Sequence, residues 1–291
     1  MPVSALAFII FSALMHALWN VQVKRSCDKT VFIWWMFVSS SVLFNVWLLL
    51  LPQPFPPVTP RTALLAAAGA VCFSLYHLFN GYAYTHGDLS LCYPLAQTSM
   101  IYVPIWSVLL LHEQLSVAGV CGIAGVALGA YCVQLPRFEL ALLLRPLYSW
   151  RQRAVQAALA AGFIYSIGSI VDKSGVNGYH PLYFTYLLVM MMLVLMSVNL
   201  CRQRYRGRIW REWQESKRLI LASGPVMLGS FVAFRYGLSM APVAYAVPAR
   251  QVNVLFGVLI GVLALREPCG RVRIAAALMI VAGVALIQLG G

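Results

Sequence analysis

Of the 291 residues, 61% are hydrophobic and 10% are charged, against roughly 25% charged in soluble domains. With a mean hydropathy of +0.80 this excludes a large water-soluble domain. The formal net charge of +13 does not point to nucleic acid, because the basic residues cluster between apolar runs, where charge reports membrane orientation.

A transmembrane helix needs about 20 mostly apolar residues, and the chain has room for ten. Apolar runs extend over about 3–23, 31–51, 62–84, 89–111 and 115–135, then 154–171, 181–200, 219–240, 243–265 and 274–289. The first run has no basic residue before it and no cleavage signal after it, so it reads as a span rather than a signal peptide. Five prolines between Pro52 and Arg61 predict an ordered bend, since proline lacks the donor a helix requires. Arg202 to Arg218, with Trp210 and Trp213 among its arginines, predicts an amphipathic segment lying in the headgroup layer.

Pro94, Gln97, Glu113, Gly129 and Gln134 recur 154 positions later as Pro248, Gln251, Glu267, Gly283 and Gln288. The expected architecture is all-α: 1–135 as one five-helix repeat, 136–153 as a basic linker and 154–291 as a second repeat. An odd number of spans per repeat inverts the second copy, an arrangement that suits a transporter opening a midplane site to either side in turn.

The His16-Ala17-Leu18-Trp19-Asn20 run, the proline-to-glutamate fourth and ninth helices and the glycine-rich fifth helix resemble the EamA-type drug/metabolite transporters. The resemblance covers both halves and implies ten helices, alternating access and substrates such as amino acids, metabolites or drugs.

Assigned to links by parity, all basic link residues except Arg61 and Lys173 fall on one side. The positive-inside rule makes that side cytoplasmic and puts both termini outside, whereas the family resemblance implies cytoplasmic termini.

Charges at bilayer depth are costly and are kept where they face a cavity or a partner. Arg235 and Arg250 flank the turn at Ala241-Pro242 and lie about 10 Å deep at 1.5 Å per residue. Each can offer a guanidinium fork to an anionic substrate, or else snorkel, or pair with Glu113 or Asp172. His16 and His77 lie at matching depth with Asn20 and Asn80 on their faces; they are candidates for proton coupling, against the blander reading of hydrogen-bonded neutral imidazoles. Gln97 and Gln251 occupy equivalent positions where the halves should meet. Trp19, Tyr76, Tyr93, Tyr165 and Tyr245 can line a cavity, Trp19 and Tyr93 foremost, although membrane aromatics usually pack or form belts.

Pro94 and Pro248 should bend their helices or free a carbonyl. The stripe Gly119, Gly122, Gly125 and Gly129 reads as close helix packing, within the chain or across a homodimer. Glu113 and Glu267 read as capping or loop-pairing acids.

No catalytic elbow, metal-ligand motif or phosphate-binding loop is present, and the seven cysteines form no metal or disulfide pattern. The expectation is a multi-pass inner-membrane secondary transporter without cofactor or metal, exporting a small polar metabolite that is an amino acid or an organic anion. The alternative is a lipid-linked role: translocating a phosphorylated headgroup, or serving as the membrane subunit of an envelope-assembly system.

Overall fold

Helix follows helix along the chain wherever apolar runs meet a capping residue. A computed structural model describes residues 1–133, 135, 148–200, 206–265 and 271–290, without the side chains of 89, 90, 93, 94, 199, 206, 261–265 and 271. The helices are α1 (Val3–Arg25), α2 (Lys29–Leu50), α3 (Pro60–His86), α4 (Leu89–Ala96), α5 (Ser99–Leu111) and α6 (Val117–Cys132), then α7 (Arg153–Gly178), α8 (Pro181–Leu200), α9 (Arg206–Met240), α10 (Val243–Ala249), α11 (Val252–Leu265) and α12 (Arg271–Gly290).

Local chemistry sets their starts. The Asp28 carboxylate accepts from Val31 N at 3.3 Å, Thr59 Oγ1 from Thr62 N at 3.1 Å and Ser116 Oγ from Gly119 N at 3.0 Å, each meeting a first-turn donor that the helix leaves unpaired. Pro60 opens α3, where its missing N–H costs nothing. The proline-rich link before it is an ordered non-helical bend, held where Tyr179 Oη donates to Pro56 O at 2.8 Å and Phe55 packs on Tyr183.

Eight stretches are long and apolar enough to cross a membrane: α1, α2, α3, α7, α8, α9, the α10–α11 run from Val243 to Ile260, and α12. The other two expected spans are shorter: α5 and α6 are apolar helices of 13 and 16 residues. The fourth and ninth runs, expected as single bent helices, are interrupted. α4 gives way to α5 at Gln97-Thr98, and α10 to α11 at Arg250-Gln251, three residues after the equivalent prolines. Proline takes away one backbone donor, and the chain crosses the gap on tighter bonds: Thr98 N to Leu95 O at 3.2 Å and Gln251 N to Pro248 O at 2.9 Å.

Two further expectations are corrected. Arg206–Arg218 is no separate segment in the headgroup plane; it is the first third of the 35-residue α9. Trp213 stacks on Trp35 at 4.9 Å, Trp35 Nε1 donates to Ile209 O, and Asp28 N donates to Glu212 Oε2, so the extension stays on the α9 axis. α7 also runs seven residues past its expected end at Val171, through Gly178; Asp172 and Lys173 are therefore helical and buried, not in a link.

The halves interlock. α1 packs along α9 and α7 along α3, while α6 packs along α12. The last two are equivalent fifth helices, and they run antiparallel: Gly122 faces Gly283 and Ile287, whereas Gly129, about two turns further, faces Ala276 and Ile280. A Cβ on Gly122 would come within 2.5 Å of Gly283 O, and one on Gly283 within 2.7 Å of Gly122 O. Both glycines are needed for backbone to approach backbone, and the glycine stripe offered for a dimer is filled by α12 of the same chain. Met1 O accepts from Gln288 Nε2 at 2.7 Å, so the two termini share a face.

Candidate functional site

The interruptions in the two broken helices meet between the halves. Gln251 Nε2 donates to Gln97 Oε1 at 3.1 Å, so the two glutamines that the repeat makes equivalent touch. Beside them is a cavity lined from α1, α3, α7, α8, α9, α10, α11 and the two breaks.

One wall is aromatic. Trp19 lies 4.9 Å from His16 and 5.8 Å from Phe231, centroid to centroid; Tyr165 lies 4.9 Å from Tyr76 and 5.6 Å from Phe73. Charged groups stand beside these rings, with the Arg235 guanidinium carbon 5.2 Å from the Phe231 centroid. Arg235, on α9, donates from Nε to Asp172 Oδ1 of α7 at 2.8 Å, with 3% and 1% of their side chains exposed. Its Nη1 also donates to Phe231 O at 3.3 Å. Arg250 is placed by the α10–α11 break. Its guanidinium carbon lies 4.3 Å from the Phe234 ring centroid and Nη2 donates to Ser230 Oγ at 3.2 Å, but Nε is buried with no hydrogen-bond partner.

Other lining atoms share that state. Gln251 Oε1, Asn253 Oδ1 and His16 Nδ1 are buried without a hydrogen-bond partner. Native proteins rarely leave such atoms unsatisfied; here a donor and two amide acceptors look into one cavity. The arrangement can therefore hold a small solute that brings an anionic end, further polar groups and a flat apolar body.

Seven of the expected site residues, His16, Trp19, His77, Gln97, Arg235, Arg250 and Gln251, line the cavity, and two do not. Asn20 is exposed; four residues beyond His16, it is one turn closer to the end of α1 and clear of the cavity. Asn80 is 7% exposed but lies outside the lining, its Oδ1 without a hydrogen-bond partner among the described residues; it keeps to the His77 face but lies nearly one turn further along α3. The Tyr93 side chain lies outside the described residues, as do Gln134 and Glu267. Tyr76 and Tyr165 join the lining, but Tyr245 is packing: 1% exposed, it accepts from Ser116 N at 2.9 Å. Asp172 enters as the partner of Arg235, while Asn253, Phe73, Phe231 and Phe234 had no sequence signal beyond their apolar or amide character.

A second charged cluster stands at the α9–α10 turn, on the side of the termini. His112, at φ 54°, ends α5 in the left-handed region and turns the chain so that Glu113 reaches α10. The Glu113 carboxylate accepts from Val243 N at 2.8 Å and Ala244 N at 3.2 Å. Lys173 Nζ donates to Leu238 O at 2.7 Å and Ala241 O at 2.9 Å. An acid on a helix start and a cation on a helix end both suit the helix dipole, and together they clamp the α9–α10 turn. Glu113 is thus a capping acid, as its sequence position suggested, but it caps a helix of the other half.

The EamA-like transporter family model matches residues 3–135 and again 152–289. No functionally curated protein matches the sequence. A protein of known crystal structure superposes with a TM-score of 0.77 at 16% identity, covering 99% of this chain and 98% of that one, which speaks for the fold alone. With a repeated family match over nearly its whole length and multiple apolar helices, the chain is a multi-pass membrane protein that belongs to the EamA-like transporter family.

Proposed function

We propose that the chain is a secondary transporter that moves small organic anions by alternating access, with ten crossings in two inverted halves. The interrupted α4–α5 pair and α6 supply the two crossings too short to qualify alone. The antiparallel α6 and α12 support the inversion, and a site at broken helices between repeats is where such transporters bind.

The observation that carries the substrate reading is Arg250: a guanidinium in a membrane cavity with no carboxylate hydrogen-bonded to it, its Nε unpaired. Arg235, by contrast, is already paired with Asp172. Among the described residues Asp172 is the one carboxylate lining the cavity beside two guanidiniums, and since buried charge is costly unless balanced, an anionic substrate supplies the second counter-charge. The aromatic wall then holds the apolar body of the solute.

Charge and packing support export as the direction. α10 is buried throughout and seated on α5 and α6, which seals the terminal face. The basic face is the cytoplasmic one by the positive-inside rule. In an exporter of the inner membrane, a pocket closed at the terminal face is the state that loads from the cytoplasm.

Thermal stabilisation of purified protein tests the reading with two probes of one shape, benzoate and its neutral analogue benzamide. Benzoate raises the melting temperature of the wild type, and Arg250→Gln removes that rise while leaving any response to benzamide in place. Full benzoate stabilisation in the variant contradicts the proposal.

A further inference from the structure

The charges that face the cavity can be counted. Of the lining residues, Arg235 and Arg250 are cationic and Asp172 is anionic, with His16 and His77 taken as neutral imidazoles. Lys173 follows Asp172 in sequence but points to the α9–α10 turn, where the Glu113 carboxylate stands on the other side of the same turn. That pair belongs to the seal. The cavity itself carries one net positive charge.

From this count we propose that Asp172 sets the valence of the substrate: it cancels one of the two guanidiniums, so the site accepts a monoanion and discriminates against a dianion. The inference rests on the organic-anion reading above and sharpens it.

Coulomb attraction alone favours a dianion. In a low-dielectric cavity, however, the occupied site is most stable when its total charge is near zero, because an excess charge of either sign is left without water. A monoanion brings the total to zero; a dianion leaves one negative charge over. The geometry makes Asp172 the element that tips this balance. Its carboxylate is held by a hydrogen bond of 2.8 Å to Arg235 Nε, is 1% exposed, and still belongs to the cavity lining. It occupies on Arg235 the place that a second substrate carboxylate would need. Arg250 keeps its free Nε for the single anionic group, and the acceptor atoms Gln251 Oε1 and Asn253 Oδ1 are suited to neutral donors and repel a further carboxylate.

The test compares benzoate with phthalate, which share a ring and differ by one carboxylate, by titration calorimetry on protein in lipid nanodiscs at pH 7.5. The wild type binds benzoate more tightly. Asp172→Asn raises the site to two positive charges and shifts the phthalate-to-benzoate affinity ratio at least tenfold toward phthalate. The double variant Asp172→Asn/Arg235→Gln restores one net charge and brings the ratio back to that of the wild type. Asn253→Asp keeps the buried ion pair, so it reports even where Asp172→Asn does not fold; it lowers the benzoate-to-benzamide affinity ratio at least tenfold. An unchanged ratio in Asp172→Asn, a double variant that behaves like Asp172→Asn, or an undiminished benzoate-to-benzamide ratio in Asn253→Asp overturns the inference and leaves the anion reading standing. A wild type that binds neither acid overturns both.

Discussion

The α9–α10 turn and the α3–α4 turn are equivalent in the sequence repeat, yet they are packed differently. α10 is buried along its whole length, seated on α5 and α6, and its first two N–H groups are held by Glu113. α4 rests on α7 instead, with at most minor contact to α11 or α12 among the described residues. The buttress of the first turn, Tyr245 against Ser116 and Gly119, has Leu91 at the position equivalent to Tyr245 and so no hydroxyl to offer. One sequence unit thus stands in two environments, tied to α5 and α6 at the terminal face and buried against α7 at the basic face. Under the alternating access proposed above, that difference is the stored step: opening the terminal end means releasing a short list of named bonds.

The largest effect is expected from Glu113→Ala. Hydrogen bonds to a charged group contribute about 1.5–3 kcal/mol each, and this variant removes two at once. A cysteine placed at Ala244 in a background without native cysteines should react with a membrane-impermeant maleimide from the terminal face at least ~10-fold faster in the variant, each 1.4 kcal/mol of lost closure being about tenfold. Equal protection in both proteins would show that Glu113 does not hold the seal.

A smaller effect is expected at the α6–α12 contact, which the comparison treats as a fixed hinge rather than a gate. Gly122→Val forces a branched side chain onto Gly283 O; overpacking of this kind costs typically ~1–3 kcal/mol. It should lower thermal stability without changing which face labels Ala244→Cys. A change of labelled face would move the hinge from α6–α12 to another contact.

The sequence made the contact between Gln97 and Gln251 legible, because residues related by a twofold axis meet if they lie on it. The neutralised state of Arg235 was one of two open readings, and geometry chose it: Asp172 lies on the neighbouring α7 at the same depth. Asp172 itself was misplaced, since Asp172-Lys173-Ser174-Gly175 has the composition of a turn and only burial of both charges shows it as helix. The helix interruptions were half legible. Proline announced a fault near the start of the fourth and ninth runs, but not that the chain would resume as helix three residues on. Phe231 and Phe234 could not be read at all: nothing in an apolar helix tells a phenylalanine facing a cavity from one facing lipid.

The central claim is that a single pocket is reached from one face at a time. Ser4 and Met240 link α1 to α9 at the sealed end, with Ser4 Oγ 3.8 Å from Met240 Sδ, and neither residue lines the pocket. A disulfide in Ser4→Cys/Met240→Cys should hold that end shut. Benzoate flux into proteoliposomes is expected to stop on oxidation and to return on reduction, while benzoate binding persists in both states. Flux that continues unchanged through the oxidised protein would contradict alternating access across this pocket.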